Sequence, residues 1–227
     1  MLFCPQSAYL KTLRTERLFT VYSSYYAVIF AGINTNSGAF EHPAREIKSQ
    51  LKISSPGSSV NTLTLYPYDD TISGKTISDT FQVMKNAYAL CGNTKESMAN
   101  EIMENYKGEE CIFFVGYSGG GIAATVAAEH LKKTLPVSKI IRIGSPLLTI
   151  GKPLYGKMVD LSLPGDPVCQ VEIPRFFKNF RPYQCFIKDL VLTRHIHSCY
   201  FKEDLKDPQG VTNLSKTINT VLRFVKN

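Results

Sequence analysis

A chain of 227 residues is long enough for one sizeable domain and short for two. Hydrophobic residues at 44% and charged residues at 20% are the proportions of a folded globular chain, which excludes a disordered tail, a collagen-like repeat and a polytopic membrane protein. The net charge of +7 is uneven: Lys and Arg against Asp and Glu number 14 to 12 over residues 1–150 but 12 to 7 over residues 151–227. A basic final third can draw nucleic acid, an anionic membrane or an acidic substrate, so charge alone does not choose.

Near the N-terminus, Lys11, Arg14 and Arg17 interrupt the apolar run that a secretory leader needs. The most apolar early segment, Tyr25 to Ile33, is nine residues and too short to cross a bilayer. The expectation is a cytoplasmic chain whose six cysteines, none in a CxxC pair, are reduced thiols. A mature chain with a trimmed leader would read the same. His195, His197 and Cys199 form the one close Cys/His grouping, without a second ligand pair, so no metal is expected.

Tyr26 to Ala31 is an uninterrupted apolar run ending at Gly32, as in a strand buried on both faces. His42-Pro43 opens a helical stretch to about Lys52, with Pro43 suited to a first turn. After the turn-rich SSPGSS segment, Val60 to Tyr66 reads as a second strand. Residues 79–107 read as two helices broken at Cys91-Gly92-Asn93, the second opened by an Asn93–Glu96 capping box. Cys111 to Val115 is a third strand that runs into Gly116-Tyr-Ser-Gly-Gly-Gly121 and then a small-residue helix, Ile122 to Lys133. Lys139 to Ile143 and Met158 to Leu163 are further strands, and residues 167–194 read as irregular. Leu214, Ile218, Val221, Leu222 and Val225 have the spacing of one helix face. Strands alternating with helices predict a single α/β domain with a mostly parallel sheet covered on both faces.

Gly116-Tyr117-Ser118-Gly119-Gly120 fits G-x-S-x-G, in which a tight strand-to-helix turn strains the serine and the glycines avoid collisions. The apolar strand before it and the helix after it meet that demand. A Gly-rich phosphate cradle is the other reading, although the third position of G-x-G-x-x-G falls on Ser118, and Ile122 and Ala123 stand where a P-loop needs Lys and Ser/Thr. Arg142, at the end of the next strand, could act as a phosphate contact in that reading.

A serine hydroxyl needs a base oriented by a carboxylate, and in such sheets the chain order is Ser, acid, His. His130 lies in the helix after the turn and points away, which leaves His195 and His197. His197, which opens His-Ser-Cys-Tyr200, is favoured as base, with His195 a core or supporting group. Asp166, in the Leu163-Pro-Gly-Asp-Pro167 turn after a strand, is favoured as the acid over Asp160 within that strand and Asp189 further on. An oxyanion hole would use the backbone N–H groups of Gly119 and Ile33, with Asn34 able to contribute.

These residues resemble the α/β-hydrolase superfamily: Gly116-Tyr-Ser118-Gly-Gly120, Gly165-Asp166-Pro-Val168, His197-Ser-Cys-Tyr200 and Phe30-Ala-Gly32-Ile33. Ile143-Gly144-Ser145-Pro146, with Asp-Pro-Val, is similar to the lipase branch, including the class 3 type, although that branch usually carries His where this chain has Tyr117. The resemblance implies a serine esterase or lipase working through an acyl-enzyme, with no metal or organic cofactor. Residues 167–194 are then a lid-like or substrate-facing insertion, in which Phe176, Phe177 and Phe180, together with Tyr117 and Asn34, contact an apolar acyl chain. Basic residues interleaved with those aromatics could also rest on an anionic lipid surface, or the aromatics could simply pack into the domain. The expected partner is a small-molecule ester or lipid and not nucleic acid. Acyltransferase or thioesterase chemistry, a catalytically silent scaffold, and nucleotide binding at Gly119–Gly121 stay as alternatives.

Overall fold

A computed structural model describes residues 22–33, 35, 38–68, 80–148, 154, 156–173 and 181–227, with only the backbone at 80–88 and 90. Six strands form one all-parallel sheet: β1 (Ser24–Phe30), β2 (Ser59–Leu65), β3 (Cys111–Tyr117), β4 (Lys139–Ile143), β6 (Met158–Ser162) and β8 (Tyr183–Phe186), in the order β2-β1-β3-β4-β6-β8. Parallel neighbours require crossovers. The first three are α1 (Glu41–Ser54), α2 (Thr80–Asn105) and α3 (Gly120–Leu131), and α4 (Asn213–Val225) closes the chain. Two short strands, β5 (Leu147–Leu148) and β7 (Glu172–Ile173), pair with each other outside the sheet.

Alternation along the strands divides the core into two layers. Tyr26, Val28 and Phe30 of β1 and Ile112 and Phe114 of β3 pack with α2 and α3. Tyr25, Ala27, Ile29, Phe113 and Val115 pack with α1 and α4. Both sets are buried, which is why these strands lack a polar alternation in sequence. On α1, Ile47 and Leu51 are one turn apart and fully buried, each contributing about 1.5–3 kcal/mol. Pro43 sits in its first turn, where an N–H is not needed. The Thr212 side chain caps α4 by accepting from Ser215 N–H at 3.1 Å. Helix α3 is apolar on nearly every side because the sheet flanks it on one side and α2 on another.

Two sequence expectations are corrected. Within the stretch read as two helices broken at Cys91-Gly92-Asn93, Thr80–Asn105 form one continuous helix, α2. A mid-helix glycine costs about 1 kcal/mol. Burial of Cys91, Met98, Ala99 and Ile102 against the α3 layer outweighs it, and Gly92 lies on a side where a Cβ would meet nothing within 4 Å. The described part of residues 167–194 is also not irregular throughout: β7 and β8 belong to it, and β8 extends the sheet beside β6. Tyr183 of β8 packs on Phe224 of α4, ring centres 6.1 Å apart, so part of this segment is framework.

Candidate active site

Strand β3 is followed directly by Ser118, whose φ is +53°. A non-glycine residue in the left-handed region costs about 1–2 kcal/mol, so its surroundings must hold it there. Ser118 N–H donates to Ile143 O at 2.9 Å, and Tyr68 donates its hydroxyl to Gly119 O at 2.8 Å. The turn also needs its glycines. A Cβ on Gly116 would lie 2.5 Å from Gly120 O, and one on Gly120 would lie 2.1 Å from Phe30 O. These glycines let β3, β1 and α3 pass at backbone contact, with the start of α3 beside Ser118. The positive end of a helix dipole favours negative charge there.

Asp166 follows β6 in the Leu163–Asp166 turn, with Gly165 at φ +82°. Its side chain is fully buried. His197, in a short 3₁₀ turn at Ile196–Ser198, brings Nδ1 to 3.1 Å and 3.0 Å from the two Asp166 oxygens. Val168 N–H donates to Oδ1 at 2.9 Å, and the Tyr200 hydroxyl donates to Oδ2 at 2.7 Å. Burial by itself would raise the Asp166 carboxyl, but the bond to and charge of His197, with the Tyr200 and Val168 donors, hold it below its ordinary value. An ionised carboxylate can only accept, so Nδ1 carries a proton, and in the neutral imidazole Nε2 is the nitrogen that bears the lone pair.

Against Tyr117, which precedes Ser118, and against Gly144, three contacts seat the imidazole. The ring of Tyr117, the residue before Ser118, stacks on it at 5.2 Å and 15°. The Tyr117 hydroxyl donates to His197 O at 2.7 Å. Gly144, which follows the Ile143 carbonyl that holds Ser118, lies so close that a Cβ there would be 3.2 Å from His197 Cε1 and 2.7 Å from Tyr200 Cε2. Gly144 has φ +56°, so a side chain there would be strained, would displace the Tyr200 ring and would press on the imidazole.

Ile33 reaches Gly119 from the loop after β1, where a Cβ on Gly119 would meet Ile33 Cγ1 at 2.8 Å. Ser118, Gly119, Ile33, Asp166, His197 and Tyr117 therefore gather at the C-terminal ends of β1, β3, β4 and β6. Tyr117 packs with Phe40, Phe201 and Tyr200, and so lies behind the histidine. Asn34, Phe176, Phe177 and Phe180 lie outside the described residues. His195 and Asp189 are exposed, and His130 is exposed on α3. Arg142 is fully buried and makes a bidentate ion pair with Asp160 at 2.6 Å and 2.7 Å, so its guanidinium does not face a ligand. Tyr200 and Gly144 carry more of the site than their place in the sequence suggested. A glycine directly after a β4 run was the available signal for Gly144.

The Asp166 geometry has a consequence for acid stability. Because folding lowers this carboxyl below about 3.8, its contribution is complete above that value and is lost as pH falls through the folded value. Asp166→Asn should remove that component, giving a shallower fall of Tm with pH below about pH 4 than in the wild type. Equal slopes in the two proteins would contradict the assigned hydrogen bonds.

Among the described residues, no group of three or more His, Cys, Asp or Glu side chains converges as a metal site would require. The five described cysteines are free thiols, and no described helix is long and apolar enough to cross a membrane. No protein-family model and no curated relative matches the chain. Among solved structures it is similar to an acetyl xylan esterase, with TM-score 0.42 and 16% identity over 91% of this chain and 98% of that one. It is also similar to a Trichoderma reesei cutinase bound to a phosphonate inhibitor, with TM-score 0.44 and 14% identity over 91% and 82%. An α/β serine hydrolase without a lid from Xanthomonas campestris matches with TM-score 0.37 and 12% identity over 75% and 73%. The chain's own topology is an all-parallel six-stranded sheet with the strained Ser118 between β3 and α3, Asp166 after β6 and His197 after β8.

Proposed function

We propose that the protein is a serine carboxylester hydrolase, an esterase or lipase that works through an acyl-enzyme. The observations that carry the reading are the left-handed Ser118 after β3 and, stacked on the neighbouring Tyr117, a histidine whose Nδ1 is held by a buried carboxylate. Ser118 Oγ attacks the ester carbonyl while His197 Nε2 takes its proton and Asp166 stabilises the imidazolium. The carbonyl oxygen, now negative, is received by the N–H groups of Gly119 and Ile33. Collapse breaks the ester C–O bond, and His197 returns the proton to the departing alkoxide. Water then attacks the acyl-Ser118, giving its proton to His197, and the acid and free serine are released. The Ile33 side chain beside Gly119 gives the attack position an apolar wall, which favours an apolar acyl group. In this reading a lipid surface presents such a substrate, with Phe176, Phe177 and Phe180 as its contacts.

The test is hydrolysis of p-nitrophenyl esters from acetate to laurate, together with fluorophosphonate labelling mapped by peptide mass. The expected result is a label on Ser118 and ester turnover in the wild type, with both lost in Ser118→Ala. Equal turnover by wild type and Ser118→Ala would overturn the reading. Transfer of the acyl group to an added thiol or alcohol faster than to water would redirect it to an acyltransferase.

A further inference from the structure

Tyr200 is fully buried, and its hydroxyl joins two ends of the acid turn. The oxygen accepts Leu163 N–H at 2.9 Å, where the turn begins, and the single hydroxyl proton goes to Asp166 Oδ2 at 2.7 Å, where it ends. Cys169 Sγ lies 3.9 Å from the same oxygen. Tyr200 is itself anchored to α4, since its carbonyl accepts the Thr217 hydroxyl at 2.7 Å. A phenol that accepts from an amide is a more polarised donor, so its bond to the carboxylate is strengthened.

We infer that Tyr200 is a positioning residue whose hydroxyl sets both the direction of the Asp166 carboxylate and the proton affinity of His197. The effect on rate rests on the serine-hydrolase reading above, whereas the effect on the imidazole does not. The carboxylate divides its lone pairs among Val168 N–H, the Tyr200 hydroxyl and His197 Nδ1–H. Charge drawn toward Tyr200 is withheld from the imidazolium. Removing the hydroxyl returns that charge, so His197 holds its proton to higher pH and the base is disabled earlier on acidification. The other groups facing this pair are Tyr117 at the end of β3, Cys169 after β6, buried Cys199 beside Tyr200, and Asp160 within β6, which Arg142 engages. Burial, then the negative charge of Asp166, pushes Tyr117 and Cys169 up, so both stay neutral across the acid limb.

The experiment follows His197 in two ways: the pH profile of p-nitrophenyl butyrate hydrolysis and the titration of its Nδ1 proton by NMR, which needs no substrate. Tyr200→Phe should lower kcat by about tenfold with KM within about twofold, and move both midpoints upward by about half a pH unit or more. Site-specific 3-fluorotyrosine in place of Tyr200 keeps the size of the side chain and makes the phenol a stronger donor. It should move both midpoints downward, and it tests the inference even where Tyr200→Phe folds poorly. A merely structural tyrosine would reduce the folded fraction, counted by fluorophosphonate titration, and leave both midpoints in place. Unchanged midpoints in the fluorinated protein, or a shift of the same sign in both variants, overturn the inference. If Ser118→Ala stays active, the hydrolase reading fails by itself and the NMR titration still judges Tyr200.

Discussion

His197→Ala should lower kcat/KM for p-nitrophenyl esters by ~10⁴-fold or more, while His195→Ala stays within about twofold of wild type. The two histidines are two positions apart and share a short turn, yet they differ in every respect that catalysis uses. His197 Nδ1 is fixed on the Asp166 carboxylate, its ring lies flat on Tyr117, and its Cε1 meets Gly144. Its Nε2 therefore has one direction to face, and a proton taken there is stabilised by a buried charge. His195 is exposed, and its contribution is to the backbone: its N–H donates to Thr193 Oγ1 and its carbonyl receives Ser198 N–H and the Ser198 hydroxyl. Those bonds survive truncation to alanine. The check is steady-state kinetics on both variants, with rates scaled to thermal melts that show each is folded. Equal losses, or the larger loss in His195→Ala, would remove His197 from the role of base.

How far the sequence could be read follows from the reach of each interaction. The β3–Ser118–α3 unit was legible because its causes are local: an apolar run, glycines where backbones cross, then a helix of small residues. Asp166 and His197 were narrowed by chain order and turn chemistry, which are also properties of short windows. The Tyr200 hydroxyl is different, since its partners Leu163 and Asp166 are 37 and 34 positions away. Nothing in His-Ser-Cys-Tyr announces an acceptor for a distant amide. The helix through Cys91-Gly92-Asn93 was misread for a related reason: local propensity favours a break, and packing of α2 on α3 decides otherwise. Strand β8 is four residues with mostly exposed side chains at a sheet edge, too short for a period and too polar for a buried run. Its membership is set by pairing with β6, which no window contains.

The buried Arg142–Asp160 pair gives the second large effect, and it separates two explanations of that arginine. Arg142 and Asp160 are register partners on β4 and β6, one strand position before Ile143 and Leu161. Their bidentate bond faces the α3 layer, while Arg142 Nη1 is buried there without a hydrogen-bond partner among the described residues. Arg142→Met would strand Asp160 with an uncompensated buried charge and should cost ~3–5 kcal/mol of unfolding free energy, read from the urea midpoint. The double replacement Arg142→Met with Asp160→Leu should recover most or all of that loss, because it removes both desolvated ions and the unpaired Nη1. If the arginine serves only to join β4 to β6, ester turnover returns with stability in the double variant, since Ile143 O still receives Ser118 N–H. A double variant that is stable but inactive would instead assign the pair a part in the chemistry, through the strand ends that carry Gly144 and Asp166.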